Sequence, residues 1–491
     1  MNYWIEGFRF AFQPTNLLII LIGTLGGIIV GALPGITSSM GIILLIPFIY
    51  YLKPETALLM LAGMYAGSMF GGSISAIILG IPGTPSAAAT VIDGYPLGQQ
   101  GKAGKAINTA VIASFAGGIL SGFCLIFLSP LLANVALKFS PIDYFSLAIF
   151  GLTIIASVSG RNLVKGLIAG LFGILVSLVG IENIRGTERF TFGIPNLSSG
   201  FELLSILIGV FAITEILIEL ERKERKMQFI KPISENFLTL DELKSILIPI
   251  LVGTIIGVFI GIIPGTGGTI ATFLAYNELK RWSKNKEKFG KGALEGVAVC
   301  ESANNAVTGG ALIPMLALGI PGDVVTAVIL GALILIGVRP GPLLFSGRPD
   351  LVYTFFVGWF VIQFFMLGLG FLSGAIAPYI LKVSRKILMP IVFILCIIGA
   401  FTIRNNLYDI GVALVFGLIG YFMRKHDFPL SPLILGVILG PIAEVNLNRA
   451  LILSKNDWSI IVKSPISLMF VILSIFSIVF SIISTRREGR E

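Results

Sequence analysis

The sequence GTIIGVFIGIIPGTGGT, residues 253–269, begins as a membrane helix and is interrupted by Pro264 and Gly265. Proline removes a backbone donor and clashes with the preceding turn, while glycine loosens the chain, so the pair leaves backbone N–H and C=O groups unpaired. An earlier stretch, residues 23–39, reads GTLGGIIVGALPGITSS and is interrupted in the same way. At an offset of 230 residues the two stretches agree at six of thirteen positions, which predicts an internal repeat.

A second signature, GIPG, occurs at residues 80–83 and again at residues 319–322, an offset of 239 residues. The chain therefore predicts four interrupted helices in two matched pairs. Unpaired backbone groups are costly in hydrocarbon, so such interruptions are tolerated where they line a cavity. One interruption alone is adequately explained as a proline kink between packed helices, but four in matching pairs favour a binding centre.

The composition is that of a membrane protein. Hydrophobic residues make up 55% of the 491 residues, charged residues make up 12%, and the mean hydropathy is +0.95. Several apolar stretches reach the roughly 20 residues that a helix needs to cross a bilayer. We therefore expect an all-α polytopic membrane protein with about a dozen passes through the lipid bilayer, and no β-barrel.

The net charge of +9 does not indicate a nucleic-acid partner, because the basic residues cluster in loops between apolar segments. This pattern is typical of cytoplasmic loops, so we place three clusters, and the C-terminus, in the cytoplasm. The clusters are Arg222, Lys223, Arg225 and Lys226; residues 280–291; and Arg486, Arg487 and Arg490.

The charged segment 221–243 is the predicted boundary between two repeat halves and is expected to be a cytoplasmic linker. Residues 1–220 form the first half, residues 244–491 the second, and each carries scaffold helices besides its interrupted ones. The interrupted helices are expected at residues 31–39, 80–86, 261–269 and 301–323. The loop that holds only Lys53 in the first half corresponds to the basic loop at 280–291 in the second, and this asymmetry favours inverted repeats. Residues 432–442 read as a shorter apolar piece.

The interrupted helices suit an anion and a small cation. The N-terminus of a half-helix offers free N–H groups and a positive dipole end, which favour a carboxylate, whereas freed carbonyl and hydroxyl groups favour sodium. The predicted substrate-binding residues are Gly35, Thr37, Ser38, Ser39, Gly83, Thr84, Gly265, Thr266, Gly267, Asn304, Asn305 and Gly322. Oxygen atoms of Ser302, Asn304, Asn305 and Thr269 could coordinate a sodium ion.

A second polar feature is CESANNAVTGGALIP, residues 300–314, in otherwise apolar sequence. Intramembrane carboxylates and amides usually face a cavity. For Glu301 two interpretations stay open: a residue facing the cavity, or a helix N-cap near the basic loop. Asp323 is adequately explained as the cap of the following helix. The glycines at positions 63, 67, 71 and 72 indicate close helix packing.

Enzymatic functions find little support. The chain has one histidine, His426, so an HExxH zinc site is excluded, and Ala103 after Gly101 and Lys102 breaks the phosphate-loop pattern. No cofactor is expected, and a sodium or proton gradient is the natural source of energy. An intramembrane aspartyl protease could use Asp409, but the sequence before Asp323 lacks the first glycine of a GxGD motif.

The chain resembles the large membrane subunit of tripartite tricarboxylate transporters, the TctA type. The resemblance covers nearly the whole chain, and the ESANNA and PGPLLF stretches are its most specific parts. The residues that carry it are GALPGITSSMGIILLIPF (31–48), MYAGSMFGGSISAIILGIPGTPSAAATVIDGYP (64–96), GIIPGTGGTIATFLAY (261–276), FGKGALEGVAVCESANNAVTGGALIPMLALGIPGDVVTAVILGALILIGVRPGPLLF (289–345) and FPLSPLILGVILGPIAE (428–444).

This resemblance implies secondary uptake of a small di- or tricarboxylate, citrate-like, driven by a sodium or proton gradient across the bacterial inner membrane. It also implies two protein partners: a small four-helix membrane subunit of the TctB type, and an extracytoplasmic solute-binding protein of the TctC type that delivers the substrate. A more distant resemblance to other dicarboxylate transporters with paired broken helices implies alternating access. A passive carboxylate channel or facilitator is the alternative.

Overall fold

The computed structural model describes residues 2–158, 163–182, 184–221 and 237–488. The basic cluster at residues 222–226, most of the predicted linker and Arg490 lie outside the described residues, and so do the side chains of Arg486 and Arg487. Within the described ranges, nine helices are long and apolar enough to cross a membrane, and five shorter helices are also apolar. The prediction of an all-α polytopic membrane protein is therefore confirmed, while the dozen passes stay a prediction.

Helices follow one another closely in the first half of the chain. In order they are α1 (Asn2–Ala11), α2 (Pro14–Ala32), α3 (Ser38–Ile49), α4 (Pro54–Leu79), α5 (Val91–Gln99), α6 (Ala103–Ala136), α7 (Pro141–Val158), α8 (Leu163–Ser177), α9 (Pro195–Ser198), α10 (Leu203–Leu207) and α11 (Thr214–Glu221). A 3₁₀ turn, Pro85–Ala88, follows α4, and a π-helical segment, Ile208–Ile213, joins α10 to α11. Two short strands, β1 (Gly180–Ile181) and β2 (Glu188–Arg189), pair antiparallel with Gly180 opposite Arg189.

The second half of the chain also consists of closely spaced helices. Its helices are α12 (Leu240–Ile262), α13 (Gly267–Trp282), α14 (Leu294–Leu318), α15 (Val324–Leu335), α16 (Pro342–Gly347), α17 (Pro349–Ile380), α18 (Arg385–Arg404), α19 (Leu407–Lys425), α20 (Leu430–Leu453), α21 (Ile460–Lys463) and α22 (Pro465–Glu488). Local chemistry explains several of the starts. Pro14 and Pro54 occupy the first turns of α2 and α4, where a missing N–H costs nothing. Thr239 and Glu242 form a capping box at α12.

The described chain forms two compact units. The first comprises Met1–Ala133, Ile218–Ile263 and Gly267–Gly399, and the second comprises Asn134–Leu217, Pro264–Thr266 and Ala400–Glu491. The first unit therefore contains helices from both predicted halves, including α2 to α4 and α12 to α14. The division of the sequence into halves at residues 221–243 stays a prediction, because residues 222–236 lie outside the described part of the chain.

Two helix pairs of the first unit, α2 with α4 and α12 with α14, pack through glycines. Three glycines of the first helix face backbone carbonyls of the second so closely that any side chain there would overlap the carbonyl oxygen. The facing residues are Gly23 and Met60, Gly27 and Met64, Gly31 and Ser68 in one pair, and Gly253 and Val299, Gly257 and Ala303, Gly261 and Val307 in the other. The glycines are related by the offset of 230 and the carbonyl residues by 239. The sequence repeat is thus also a repeat of helix packing.

The opposite side of this packing explains the glycine face of α4. Gly67 and Gly71 lie against the backbone carbonyls of Thr24 and Ile28 on α2, and Gly63 lies against Thr24 as well. The interpretation of these glycines as a packing face is therefore confirmed. Gly72 meets the hydroxyl of Thr84 instead, so its lack of a side chain makes room for the interruption that follows α4.

In the second unit, α20 packs against α7 and α8, and α22 packs against α7. The prediction of a short apolar piece at residues 432–442 is wrong, because α20 runs to Leu453 and is long enough to span a membrane. Its second part is polar in sequence, yet those side chains have partners: Glu444 pairs with Arg189, and Asn448 donates to Glu182. Because these polar side chains are paired, the helix continues beyond the residue at which hydropathy alone predicts its end.

Candidate functional site

The first interruption turns the chain between α2 and α3. Gly35 has a φ of 101°, which favours glycine, and Thr37 caps α3 by accepting the N–H of Met40 at 3.3 Å. Thr37 and Ser39 bond to each other at 2.9 Å through their hydroxyl groups. The carboxyl of Glu219, a residue that sequence reasoning did not select, lies about 3.0 Å from where a side chain at Gly35 would begin. An acidic group therefore closes this interruption on one side.

The matching interruption, between α12 and α13, also contains a glycine with a positive φ, Gly265 at 75°. The turn contains Gly265 and Thr266, which belong to the second compact unit, and α13 begins at Gly267 in the first. A helix that begins here has free N–H groups in its first turn.

The two interruptions after α4 and α14 also match. Each helix ends on a glycine in the left-handed conformation, Gly80 with a φ of 67° and Gly319 with a φ of 70°. Three residues later, a side chain at Gly83 would overlap the carbonyl of Gly31, and one at Gly322 would lie 2.6 Å from that of Gly261. These two predicted site residues therefore serve close packing against α2 and α12.

The interruptions meet crosswise within the first unit. The start of α13 packs on the 3₁₀ turn Pro85–Ala88 of the first repeat, and α3 packs on α15 of the second. Thr272 of α13 donates its hydroxyl to the carbonyl of Ser86 at 3.1 Å, and the Ser86 and Thr84 hydroxyls bond at 3.2 Å. The first turn of α13 therefore faces the side chain of Ser86, whose hydroxyl bonds in turn to that of Thr84.

Asn304 completes this polar centre. Its side chain is fully buried on α14, and its Nδ2 donates to the carbonyl of Met69 at 3.0 Å. Its Oδ1 has no hydrogen-bond partner and points at the first turn of α13, where it would lie 3.4 Å from a Cβ at Gly268. Ser86 is on the other side of the same glycine, 2.8 Å from that position. The structure therefore brings Thr84, Ser86, Gly268 and Asn304 together.

Asp323 lies at the edge of this centre and has a structural role. Its Oδ1 accepts the N–H of Thr326 at 2.8 Å in a capping box, and its Oδ2 accepts the hydroxyl of Tyr65 at 2.5 Å. The interpretation of Asp323 as a helix cap is confirmed. Tyr65 links this cap in the second repeat to α4 in the first.

A second polar cluster surrounds Glu301. Helix α14 begins at Leu294, and Glu301 lies two turns further on with no exposed surface, so the interpretation as an N-cap is wrong. Its carboxylate accepts hydrogen bonds from the hydroxyls of Thr90 at 2.5 Å and Ser114 at 3.3 Å. Asn305 donates to the Ser114 Oγ at 2.7 Å.

The side chains of the remaining predicted site residues do not converge on one position. Ser302 donates to Val299 of its own helix and faces Gly253 of α12, whereas Asn304 faces α13 and Asn305 faces α6. Three of the four residues predicted for sodium thus have different neighbours, and the prediction of a sodium site that also includes Thr269 stays a prediction. Thr37, Ser38 and Ser39 lie at the start of α3, which contacts α15.

The residue considered for proteolysis has another role. Asp409 is fully buried, and both of its carboxylate oxygens accept hydrogen bonds from Arg404, at 3.0 Å and 2.6 Å. Arg404 thus occupies both oxygens of this carboxylate, whereas an aspartyl protease needs a pair of carboxylates that share a proton. The same pair gives Arg404 a buried carboxylate partner.

Fold and site together define a multi-pass membrane protein with paired interrupted helices around a polar centre. The family model described as Tripartite tricarboxylate transporter TctA family matches residues 17–435. The chain belongs to this family, which is a family of transporters and not of enzymes, and which indicates the membrane component of a tripartite tricarboxylate transporter.

Two relatives from Agrobacterium vitis are similar to the chain. One, described as "Uncharacterized 52.8 kDa protein in TAR-I ttuC' 3'region", is 35% identical over 485 residues, which cover 99% of this chain and 97% of the relative. The other, "Uncharacterized protein in TAR-II ttuC' 3'region", is 34% identical over 230 residues, 47% of this chain and 95% of the relative. No solved structure matched the chain.

Proposed function

We propose that this protein imports a small di- or tricarboxylate, citrate-like, by alternating access, driven by a sodium or proton gradient. The observation that carries the proposal is the meeting of the first turn of α13 with Ser86 and Asn304 of the other elements. Free N–H groups of the helix, its positive dipole end and the hydroxyls of Thr84 and Ser86 suit a carboxylate. The unpartnered Oδ1 of Asn304 would accept a hydrogen bond from a substrate hydroxyl.

The rest of the proposal follows from membership in the family. A TctC-type extracytoplasmic protein would deliver the substrate, and a small TctB-type subunit would accompany this chain in the bacterial inner membrane. The C-terminus would lie in the cytoplasm. The repeated glycine packing of α2 on α4 and α12 on α14 supports two equivalent elements, which we propose to be inverted and to move in turn during transport.

Uptake into proteoliposomes tests this function. All three subunits are reconstituted, a sodium or proton gradient is imposed, and accumulation of radiolabelled carboxylates is measured across a broad panel. We expect accumulation of at least one of them beyond electrochemical equilibrium. Uptake that stops at equilibrium would make the protein a passive facilitator, and no gradient-dependent uptake of any carboxylate would refute the proposal.

Substituting the two amides of α14 tests the site. Asn304→Ala and Asn305→Ala are expected to impair uptake by about tenfold, without loss of folded protein, because each removes a buried polar group next to the proposed binding centre. Asn446→Ala is the matched control, since that amide bonds only to Ile442 of its own helix, at 2.8 Å. Uptake by both variants at the level of this control would remove the amides from the site.

A further inference from the structure

Glu301 is a buried carboxylate whose hydrogen-bond partners are neutral. It has no exposed surface, and it takes part in none of the ion pairs among the described residues. Its partners are the hydroxyls of Thr90, which precedes α5, and of Ser114 on α6. An ionised carboxylate in such a place is very unfavourable unless a positive charge accompanies it.

Beside Glu301, the side-chain oxygen of Asn305 has no hydrogen-bond partner. Asn305 lies one helical turn after Glu301, and its Nδ2 donates to the Glu301 carbonyl at 3.2 Å and to the Ser114 Oγ at 2.7 Å. Its Oδ1 is buried without any hydrogen-bond donor. Buried acceptors in this state are rare, and they often mark the place of a bound ion or water.

One sodium ion would neutralise the Glu301 carboxylate and would give the Asn305 Oδ1 a partner. We propose that the carboxylate of Glu301, the Oδ1 of Asn305 and the hydroxyl oxygens of Thr90 and Ser114 form a sodium site, and that this sodium is the coupling ion of the proposed transport. On binding, the hydroxyls turn their hydrogen atoms away from the carboxylate and present oxygen lone pairs to the ion. A proton on Glu301 would neutralise the charge, but it would leave the Asn305 oxygen without a partner.

The ligand atoms also indicate the charge of the ion that the site would bind. All the ligands are oxygen atoms, which hard cations prefer over nitrogen and sulfur ligands. The described part of the chain contains no group of three histidine, cysteine or acidic residues that could hold a multivalent metal, and Glu301 brings a single negative charge. A monovalent cation leaves this buried site neutral.

The position of the site explains how sodium would influence substrate binding. Its ligands come from the segment before α5, from α6 and from α14, so an ion draws three elements together. Asn304, which contacts the proposed substrate centre, lies between Glu301 and Asn305 in the sequence and on the same helix. Sodium therefore fixes the segment of α14 that presents Asn304 to the first turn of α13.

The test uses the purified full-length chain and the reconstituted three-subunit transporter. Binding of radioactive sodium to the chain and the sodium concentration for half-maximal uptake are both measured. Glu301→Gln is expected to weaken sodium binding by about tenfold or more, the scale on which changes at and around a metal site alter affinity. Asn305→Ala and Ser114→Ala, which keep the charge, should raise the half-maximal sodium concentration several-fold.

Glu295→Gln is the matched control, because this carboxylate lies on the same helix but lines a surface cleft. Its sodium dependence should equal that of the unaltered protein. Sodium binding by Glu301→Gln at the level of this control would overturn the site. If Glu301→Gln does not fold, the sodium site is tested with Asn305→Ala and Ser114→Ala instead. An unchanged sodium dependence of uptake in both variants would also overturn the sodium site.

Failure of this inference can be told apart from failure of the proposed function. Gradient-driven uptake that needs a proton gradient and no sodium would refute the sodium site and leave carboxylate transport intact. If no carboxylate is taken up, the proposed function fails, while the direct sodium-binding measurement still tests the site.

Discussion

Asp93→Ala is expected to destabilise the first unit strongly. Asp93 lies on α5 with 1% of its surface exposed, and its Oδ1 accepts three backbone N–H groups, from Gly290 at 2.8 Å and from Gly292 and Ala293 at 2.9 Å. Its Oδ2 accepts the hydroxyl of Tyr276 at 2.9 Å. One carboxylate thus ties the segment that leads into α14 to α5 across about two hundred residues of sequence and holds the basic loop in place.

The physical reason is the absence of any substitute acceptor. The three N–H groups belong to the segment before α14, and Ala293, the N-cap residue, has no side chain that could accept a hydrogen bond in place of Asp93. A buried N–H that loses its partner costs about 1–3 kcal/mol. Of the three residues Ala293 is buried, Gly292 is half-buried and Gly290 is exposed, so the variant should lose roughly 2–4 kcal/mol of the free energy of unfolding. Thermal unfolding of the purified chain in detergent, followed by size-exclusion chromatography, measures the effect.

Two further variants sharpen this experiment. Asp93→Asn keeps an acceptor oxygen but not the charge, so its apparent Tm should fall between those of Asp93→Ala and the unaltered chain. Asp241→Ala removes an exposed carboxylate of the same unit and should leave the apparent Tm nearly unchanged. An apparent Tm of Asp93→Ala equal to that of Asp241→Ala would mean that the hydrogen bonds from Gly290, Gly292 and Ala293 to Asp93 do not stabilise the fold.

The interruptions could be predicted from the sequence because their cause is local. A Pro-Gly pair ends a helix whatever surrounds it, and the breaks at Pro34 and Pro264 lie where the residues place them. The repeat was visible for a related reason: glycines such as Gly27 and Gly257 are required wherever one helix backbone touches another, so the packing leaves a pattern in the sequence.

The partners of the buried polar groups could not be predicted in this way. Glu301 meets Thr90 and Ser114 across 211 and 187 residues of sequence, and nothing in the spacing of these residues records the contact. For the same reason the sequence could not tell that the interruptions meet crosswise. In the structure, the start of α13 packs on the turn that holds Ser86, which belongs to a non-matching interruption.

Buried polar groups also explain why hydropathy is a poor guide to the site. Helix α14 is buried over nearly its whole length, and its polar residues Glu301, Asn304 and Asn305 have no exposed surface. A helix surrounded by protein is free to carry polar groups, since its neighbours and not lipid supply the hydrogen bonds. The polarity that lowers the apparent membrane signal of α14 is therefore carried by the same residues for which we propose a role in binding.

Gly268→Val is expected to abolish carboxylate uptake while leaving a folded protein. Gly268 lies in the first turn of α13, and a Cβ at this position would lie 2.8 Å from the Cβ of Ser86 and 3.4 Å from the Oδ1 of Asn304. A carbon at 2.8 Å from another carbon is an overlap, so Ser86 and the first turn of α13 must move apart, and the two further methyl groups of valine enlarge this shift. If the carboxylate binds at this helix start, uptake should fall by about a hundredfold, as expected when reacting or binding groups are displaced by about 1 Å.

The folded state should tolerate this change, because Ser86 lies in a short 3₁₀ turn between α4 and α5 that can shift more easily than a helix backbone. Size-exclusion chromatography of the purified variant therefore accompanies the uptake assay. Gly368→Val is the matched control, since no atom lies within 4 Å of a Cβ at Gly368 on α17, and its uptake should equal that of the unaltered protein. A folded Gly268→Val transporter with normal uptake would place the substrate away from α13, because no carboxylate could then reach the N–H groups that the valine covers.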